Sequence, residues 1–206
     1  PACRYEETLE QMFREGMDGV RLNLSHSTLS DAADAVAAVR RAADACGKKA
    51  ELLIDMQGPE LRIGTLDAPV SLADGSTLAL DAIPFPDAVR DALTDGQDIL
   101  LDDGKLLLKA DGSRLTVLRG GILQSRKSVA LPGISIPTPA MTDADRMHIR
   151  SAKAFGVTAV MQPFVRSRDD LLEVRRALDG AGCEAVRLFA KIESRAGVER
   201  LDELIP

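Results

Sequence analysis

Apolar and polar side chains alternate strictly over residues 19–25, with Val20, Leu22 and Leu24 set against Arg21, Asn23 and Ser25. A repeat of two marks a β-strand with two distinct faces. Short apolar runs bounded by turn signals predict further strands over 50–55, 157–161 and 186–191. Between them the period becomes helical. Leu29, Ala33, Val36 and Val39 recur at that spacing behind Thr28-Leu29-Ser30-Asp31, which has the form of a capping box. Thr142-Asp143-Ala144-Asp145 and Ser167-Arg168-Asp169-Asp170 repeat the start signal, and Leu171, Val174 and Leu178 supply the apolar stripe of the second of these helices. Gly156 and Gly182 stand where left-handed helix caps belong. Helix and strand in alternation predict βαβ units and a parallel sheet.

The stretch 64–127 has another texture. Helical period is nearly absent, and Asp-Gly pairs recur at 74–75, 95–96, 103–104 and 111–112. Residues 106–109 and 115–118 read as short strands joined by an Asp-Gly hairpin. Pro132, Pro137 and Pro139 mark an extended return. The predicted organisation is an α/β domain over 1–63 and 128–206, with a small β domain over 64–127 inserted into it.

Composition narrows the function. The 206 residues carry 26 Lys+Arg against 32 Asp+Glu, a net charge of −6, and 45% are hydrophobic. That is a globular composition and a poor match for nucleic acid, whose phosphates need a positive surface. No apolar run approaches the ~18 residues needed to span a bilayer, so no membrane partner is expected. The first seven residues lack the apolar stretch of a secretory signal. Cys3, Cys46 and Cys183 are far apart and odd in number, which fits a reducing compartment better than a disulfide framework or a thiolate metal site. Aromatic residues are 3%, with no Trp, leaving little to stack on bases or sugars. About four predicted α/β strands are too few to close an eight-stranded barrel, which suggests a piece of a longer protein.

The candidate chemistry sits at strand ends. Arg21, Asn23 and Ser25 share a polar face at the end of a parallel strand, where α/β folds bind ligands, and His26 follows. A strand end turned to solvent would look the same. Asp55, Glu60 and Arg62 crowd the Gly58-Pro59 turn; their oxygens suit a hard cation, or they form a charged exposed loop. Lys191 and Glu193 lie on one strand face, roughly 6–7 Å apart. They could hold a metal and an anion together, or form a plain ion pair. Asp102-Asp103-Gly104 is first of all a turn. Lys127, beside Arg126, lies where the insert rejoins, either as a solvated basic pair or as a phosphate clamp. His148 lies in a predicted helix and reads as structural.

Five of these segments carry a resemblance. Gly16-Met17-Asp18-Gly19-Val20-Arg21-Leu22-Asn23-Leu24-Ser25-His26 resembles the pyruvate kinase segment G-M-x-x-x-R-L-N-x-S-H. Asp55-Met56-Gln57-Gly58-Pro59-Glu60-Leu61-Arg62 resembles its D-T-K/Q-G-P-E-I-R. Leu131-Pro132-Gly133, Phe164-Val165-Arg166, and Lys191-Ile192-Glu193 with Gly197-Val198 resemble three further motifs of that family, in the same order. The resemblance implies an α/β fold, a partial (β/α)8 TIM barrel with an inserted small β-barrel lid domain. It implies phosphoryl transfer from phosphoenolpyruvate to ADP, giving pyruvate and ATP in glycolysis, with Mg2+ (or Mn2+) and K+. It also implies a cytoplasmic homotetramer.

Residue by residue, the resemblance gives Arg21 the substrate phosphate and Lys191 the phosphoryl group in transfer. It gives K+ to Asn23, Ser25, Asp55 and the Met56 carbonyl, with Glu60 in the form associated with needing K+, and Mg2+ to Glu193. Asn23 to His26, Arg62 and Lys127 would face the nucleotide. The family's second Mg2+ carboxylate and its proton-relay Thr are expected beyond Pro206, so the isolated chain is expected to be inactive. The departures are Met56 for the usual Thr, Ser27 for Gly, Ala130 for Asn, Gln162-Pro163 before Phe164, and a short insert. The last two motivate an alternative, a non-catalytic pyruvate-kinase-like binding or regulatory protein. A barrel lyase acting on pyruvate enolates ranks behind both.

Overall fold

A computed structural model describes residues 5–25, 27–134 and 136–205. In chain order the elements begin with α1 (Glu6–Arg14), β1 (Gly19–Asn23), α2 (Ala33–Ala45) and β2 (Glu51–Asp55). They continue through β3 (Val70–Leu72), β4 (Thr77–Ala79), α3 (Asp87–Ala92), β5 (Asp98–Leu101), β6 (Leu106–Asp111), β7 (Arg114–Arg119), β8 (Gly121–Leu123) and β9 (Val129–Ala130). They close with α4 (Asp143–Ser151), β10 (Ala159–Gln162), α5 (Arg168–Gly180), β11 (Arg187–Ala190), α6 (Arg195–Glu199) and α7 (Leu201–Leu204). The chain divides into two compact units, Pro1–Pro59 with Pro139–Pro206, and Glu60–Thr138. Residues 60–63 and 128–138 thus fall in the second unit.

The first unit is α/β. Its four strands run in the order β1-β2-β10-β11, all parallel. The register pairs Val20 with Leu52, Leu22 with Ile54, and Val160 with both Ile54 and Leu188. These side chains form one face and pack with Val36 of α2, Ile149 of α4, and Val174 and Leu178 of α5. By the same alternation Arg21, Asn23, Leu53, Asp55, Met161 and Phe189 occupy the other face. Helix α1 packs on α2 through Leu9, Phe13, Val39, Ala42 and Ala43. At the starting ends of the strands, Glu51 accepts a hydrogen bond from Thr158 Oγ1 (2.8 Å) and pairs with Arg187. Thr158 Oγ1 in turn accepts from Leu52 N (2.9 Å), stitching three successive strands together at that end.

The helix start signals act differently from one another. Thr142 closes a full capping box with Asp145 at the start of α4. Thr28 and Asp31 also bond reciprocally, at 2.8–3.1 Å, but they close a turn, in which Ala32 N reaches Thr28 O at 3.1 Å. That turn uses the first donors, so α2 starts only at Ala33. Ala32 is consequently the buried residue, and Ala33, expected in the stripe, is exposed. Ser167 makes no side-chain cap. Gly156 and Gly182 do take left-handed conformations, at φ +58° and +68°.

The second unit is an antiparallel β structure, with one sheet ordered β4-β7-β6-β5-β9 and a separate β3-β8 pair. Hairpin β6–β7 turns on Gly112 and Ser113 between the paired residues Asp111 and Arg114, with Gly112 at φ +55°. Ile99, Leu101, Leu108, Leu115, Val117 and Leu123 alternate into its core. Helix α3 is an element that the sequence pattern did not show; it buries only Val89. Among the described residues, no helix is long and apolar enough to cross a membrane.

Candidate functional site

The polar face of the parallel sheet gathers charge at its C-terminal end. Asp55 ends the central strand β2 and is 4% exposed. Arg21 on the neighbouring β1 places Nη1 3.7 Å from Asp55 Oδ2. Lys191, the residue after β11, places Nζ 3.6 Å from Asp55 Oδ1 and 3.3 Å from Glu193 Oε1. The structure therefore brings together Arg21, Asp55, Lys191 and Glu193, which come from three strand ends. A cation on either side of one buried carboxylate offsets its desolvation. The Arg21 side chain is still 55% exposed, so its guanidinium can reach an incoming anion.

Glu193 is oriented by backbone as well as by charge. Its Oε2 accepts from Phe164 N at 3.2 Å. Phe164 has φ +55°, a conformation that costs a non-glycine residue about 1–3 kcal/mol and persists only where the surroundings enforce it. The next residues are fixed by Asp170, which accepts from Arg166 N, Nε and Nη2 at 2.9–3.1 Å. Burial alone would raise the Asp170 carboxyl, but these Arg166 bonds outweigh it and hold it below the usual carboxylate value.

Asn23 and Ser25 bond to each other at the end of β1, with Ser25 N donating to Asn23 Oδ1 at 2.9 Å, which ends the strand two residues before the pattern's limit. Leu24 N donates to Asp55 O at 2.9 Å, so this corner lies against Asp55. Met56 buries its side chain in the core and donates its N–H to Met161 O at 3.1 Å. His26 lies outside the described residues. Asp55 Oδ1 is buried and accepts no hydrogen bond. A buried anionic oxygen in that condition is the kind of donor that a hard cation takes. Among the described residues, no group of three or more His, Cys, Asp or Glu side chains is placed to hold a metal ion.

Gln162 does not join this face. The register puts it on the helix side, where Nε2 donates to Asp170 O in α5 at 3.1 Å. Its neighbour Pro163 instead packs at Gly58, which has φ +65°.

Arg62 and Lys127 belong to the second unit and are adjacent there. Arg62 bridges to Ser128, and Ile63 N donates to Lys127 O at 2.9 Å. Arg62 pairs with Glu60 and donates to Arg126 O at 2.8 Å. Lys127 Nζ lies 2.8 Å from Asp102 Oδ1, and Lys105 Nζ 3.1 Å from Oδ2. Hydrogen bonds from Lys127 and then Lys105 hold the Asp102 carboxyl below its ordinary value. The Asp102-Asp103 turn is thus also the counter-charge for Lys127, a role that the sequence pattern did not show.

The residue most clearly missed is Asp145. It is fully buried, and its carboxylate accepts from Thr142 N (2.9 Å), Thr142 Oγ1 (2.8 Å), Gln57 N (2.9 Å) and Gly58 N (3.1 Å). Its place in a capping box was legible, but its reach across about ninety residues of sequence was not. His148, one turn on, is buried, and that burial lowers its pKa against the opposing pull of Asp145.

Comparison with known proteins bears on the whole chain. A family model described as pyruvate kinase, barrel domain, matches residues 1–206. A pyruvate kinase of Geobacillus stearothermophilus is 30% identical over 224 residues, and one of Methylorubrum extorquens 33% over 222. The Homo sapiens pyruvate kinase PKLR is 32% identical over 234 residues. Each alignment takes in 100% of this chain, which spans 38%, 45% and 40% of those three relatives' lengths.

Proposed function

The chain belongs to the pyruvate kinase family, and from that membership we propose that the whole protein transfers the phosphoryl group of phosphoenolpyruvate to ADP, giving pyruvate and ATP. The observation that carries the reading is Lys191 held between Asp55 and Glu193, with Arg21 on the far side of Asp55. In the reaction the bond from phosphorus to the enol oxygen breaks, a bond to a terminal oxygen of ADP forms, and the enolate left behind takes up a proton. Negative charge spreads over the phosphoryl oxygens in flight, so positioned cations do most of the work.

In this reading Arg21 binds the substrate phosphate, and the Lys191 ammonium neutralises the transferring group. Family membership would assign Asn23, Ser25, His26, Arg62 and Lys127 to the nucleotide. K+ would be held by Asn23, Ser25, Asp55 and the Met56 carbonyl, and Mg2+ or Mn2+ by Glu193. When bound, these ions would supply further positive charge and Lewis acidity toward the enolate oxygen. The four-stranded unit would be part of a (β/α)8 barrel, and the β unit its lid. A cytoplasmic homotetramer is part of the same proposal.

The alternative, a non-catalytic relative that only binds ligand, rested partly on Gln162-Pro163. Gln162 itself turns to α5 on the helix side of the sheet, while Pro163 packs at Gly58 in the loop after β2, so that ground stands on Pro163. A lactate dehydrogenase-coupled assay on the whole protein, with phosphoenolpyruvate, ADP, Mg2+ and K+, tests the proposal. Pyruvate formation dependent on all four is the expected result, and substrate binding without turnover would refute it.

A further inference from the structure

Asp145 lies on the helix side of the sheet and meets no ligand in the reading above, yet it is a fully buried carboxylate carrying four hydrogen bonds. Two serve the start of α4. The other two go to the amides of Gln57 and Gly58, in the loop that leaves β2 directly after Asp55 and Met56. A lone helix cap would need only the first pair.

The Gln57 amide shares a peptide plane with the Met56 carbonyl. That peptide is trans, so its N–H and C=O point in opposite directions. Fixing Gln57 N on Asp145 Oδ1 at 2.9 Å therefore fixes the Met56 oxygen pointing away from Asp145. The preceding amide is fixed too, since Met56 N donates to Met161 O at 3.1 Å. The following amide is held on Asp145 Oδ2.

The ladder with β10 also leaves the Met56 oxygen unclaimed. Asp55 pairs with Met161, and two residues further on the register would send the amide of residue 163 to the Met56 carbonyl. Residue 163 is proline and has no N–H to send. The carbonyl is thus turned from Asp145 and has no ladder donor from β10.

We infer that Asp145 is a positioning residue for the monovalent-cation site: by anchoring the Gln57 and Gly58 amides it holds the Met56 carbonyl oriented as a ligand. This rests on the K+ role proposed above. Replacing one carboxylate oxygen by an amide NH2 sets donor against donor at one of the anchored backbone amides. The loop then turns, while the side-chain volume stays nearly constant.

The test uses the whole protein and titrates KCl with tetramethylammonium chloride holding ionic strength constant. It reads the K+ concentration at half-maximal activation and, separately, at half-maximal gain in melting temperature, which reports ion binding without turnover. Asp145→Asn should raise both at least tenfold. Thr142→Ala, which removes the side-chain cap of α4 but no bond to Gln57 or Gly58, should stay within twofold of the parent. The inference is overturned if Asp145→Asn stays within twofold, if Thr142→Ala shifts as far, or if K+ does not raise the parent's melting temperature. If Asp145→Asn does not fold, Asp145→Glu carries the same titrations and thresholds. A parent that makes no pyruvate refutes the enzymatic proposal alone, because the melting titration still decides the role of Asp145.

Discussion

Gly58→Ala isolates the close packing of the loop after β2. Two costs are expected. The first is backbone strain, since φ +65° is costly for a residue with a Cβ, by about 1–2 kcal/mol. Part of this is returned, because alanine restricts the unfolded chain and so stabilises by about 0.4–1 kcal/mol. The second cost is steric. The new methyl would overlap Pro163 Cγ and lie 3.2 Å from Phe164 Cδ2. The proline ring cannot rotate aside, so the backbone near 58 or 163 must move, at about 1–3 kcal/mol for overpacking of this kind. Gly47 supplies the control, with φ +66° and nothing within 4 Å of an added Cβ. Gly47→Ala should therefore cost about 1 kcal/mol or less, and Gly58→Ala about 2–4 kcal/mol. Urea unfolding of the two variants beside the parent measures both. If Gly58→Ala is no more destabilising than Gly47→Ala, Pro163 does not press on this loop and the packing account is wrong.

Lys191→Met should lower kcat at least ~100-fold, the scale of losing a positioned charge at a transition state, while the Mg2+ half-saturation moves little; an unchanged kcat takes this ammonium out of the chemistry. Glu193→Gln can still accept from Phe164 N, so it should fold normally but require several-fold more Mg2+; an unaltered metal titration argues against ligation. His148 is held below its ordinary pKa by burial, so the unfolded chain takes up its proton first as pH falls. Its contribution is whole above about 6.5, the unfolded value, and declines as pH drops from there towards the lowered folded value. His148→Gln should flatten that acid-side loss in a series of melting temperatures, and an identical pH slope would show that His148 is not its source.

The parallel sheet was legible because the 19–25 alternation and the helical stripes follow from local burial. Boundaries were less so. Asn23 ends β1 by turning its own side chain back on Ser25 N, and the Thr28 box spends itself on a turn. Both events depend on individual hydrogen bonds that period arguments do not resolve. The strand ends drew notice as polar tips on apolar strands, and the register then placed Arg21, Asp55, Lys191 and Glu193 beside one another. Asp145 shows the limit. A capping-box aspartate announces only its local duty, and its bonds to Gln57 and Gly58 depend on β2 and β10 being neighbours. Lys127 likewise finds Asp102 only through the folding of the β unit.

The Glu51, Thr158 and Arg187 belt sits at the opposite pole of the sheet from the cluster around Asp55. Cross-strand fastening and the charged cluster thus occupy separate ends of the same strands. A substitution in the belt is therefore expected to loosen the fastening of the strands while leaving the ion pairs around Asp55 in place.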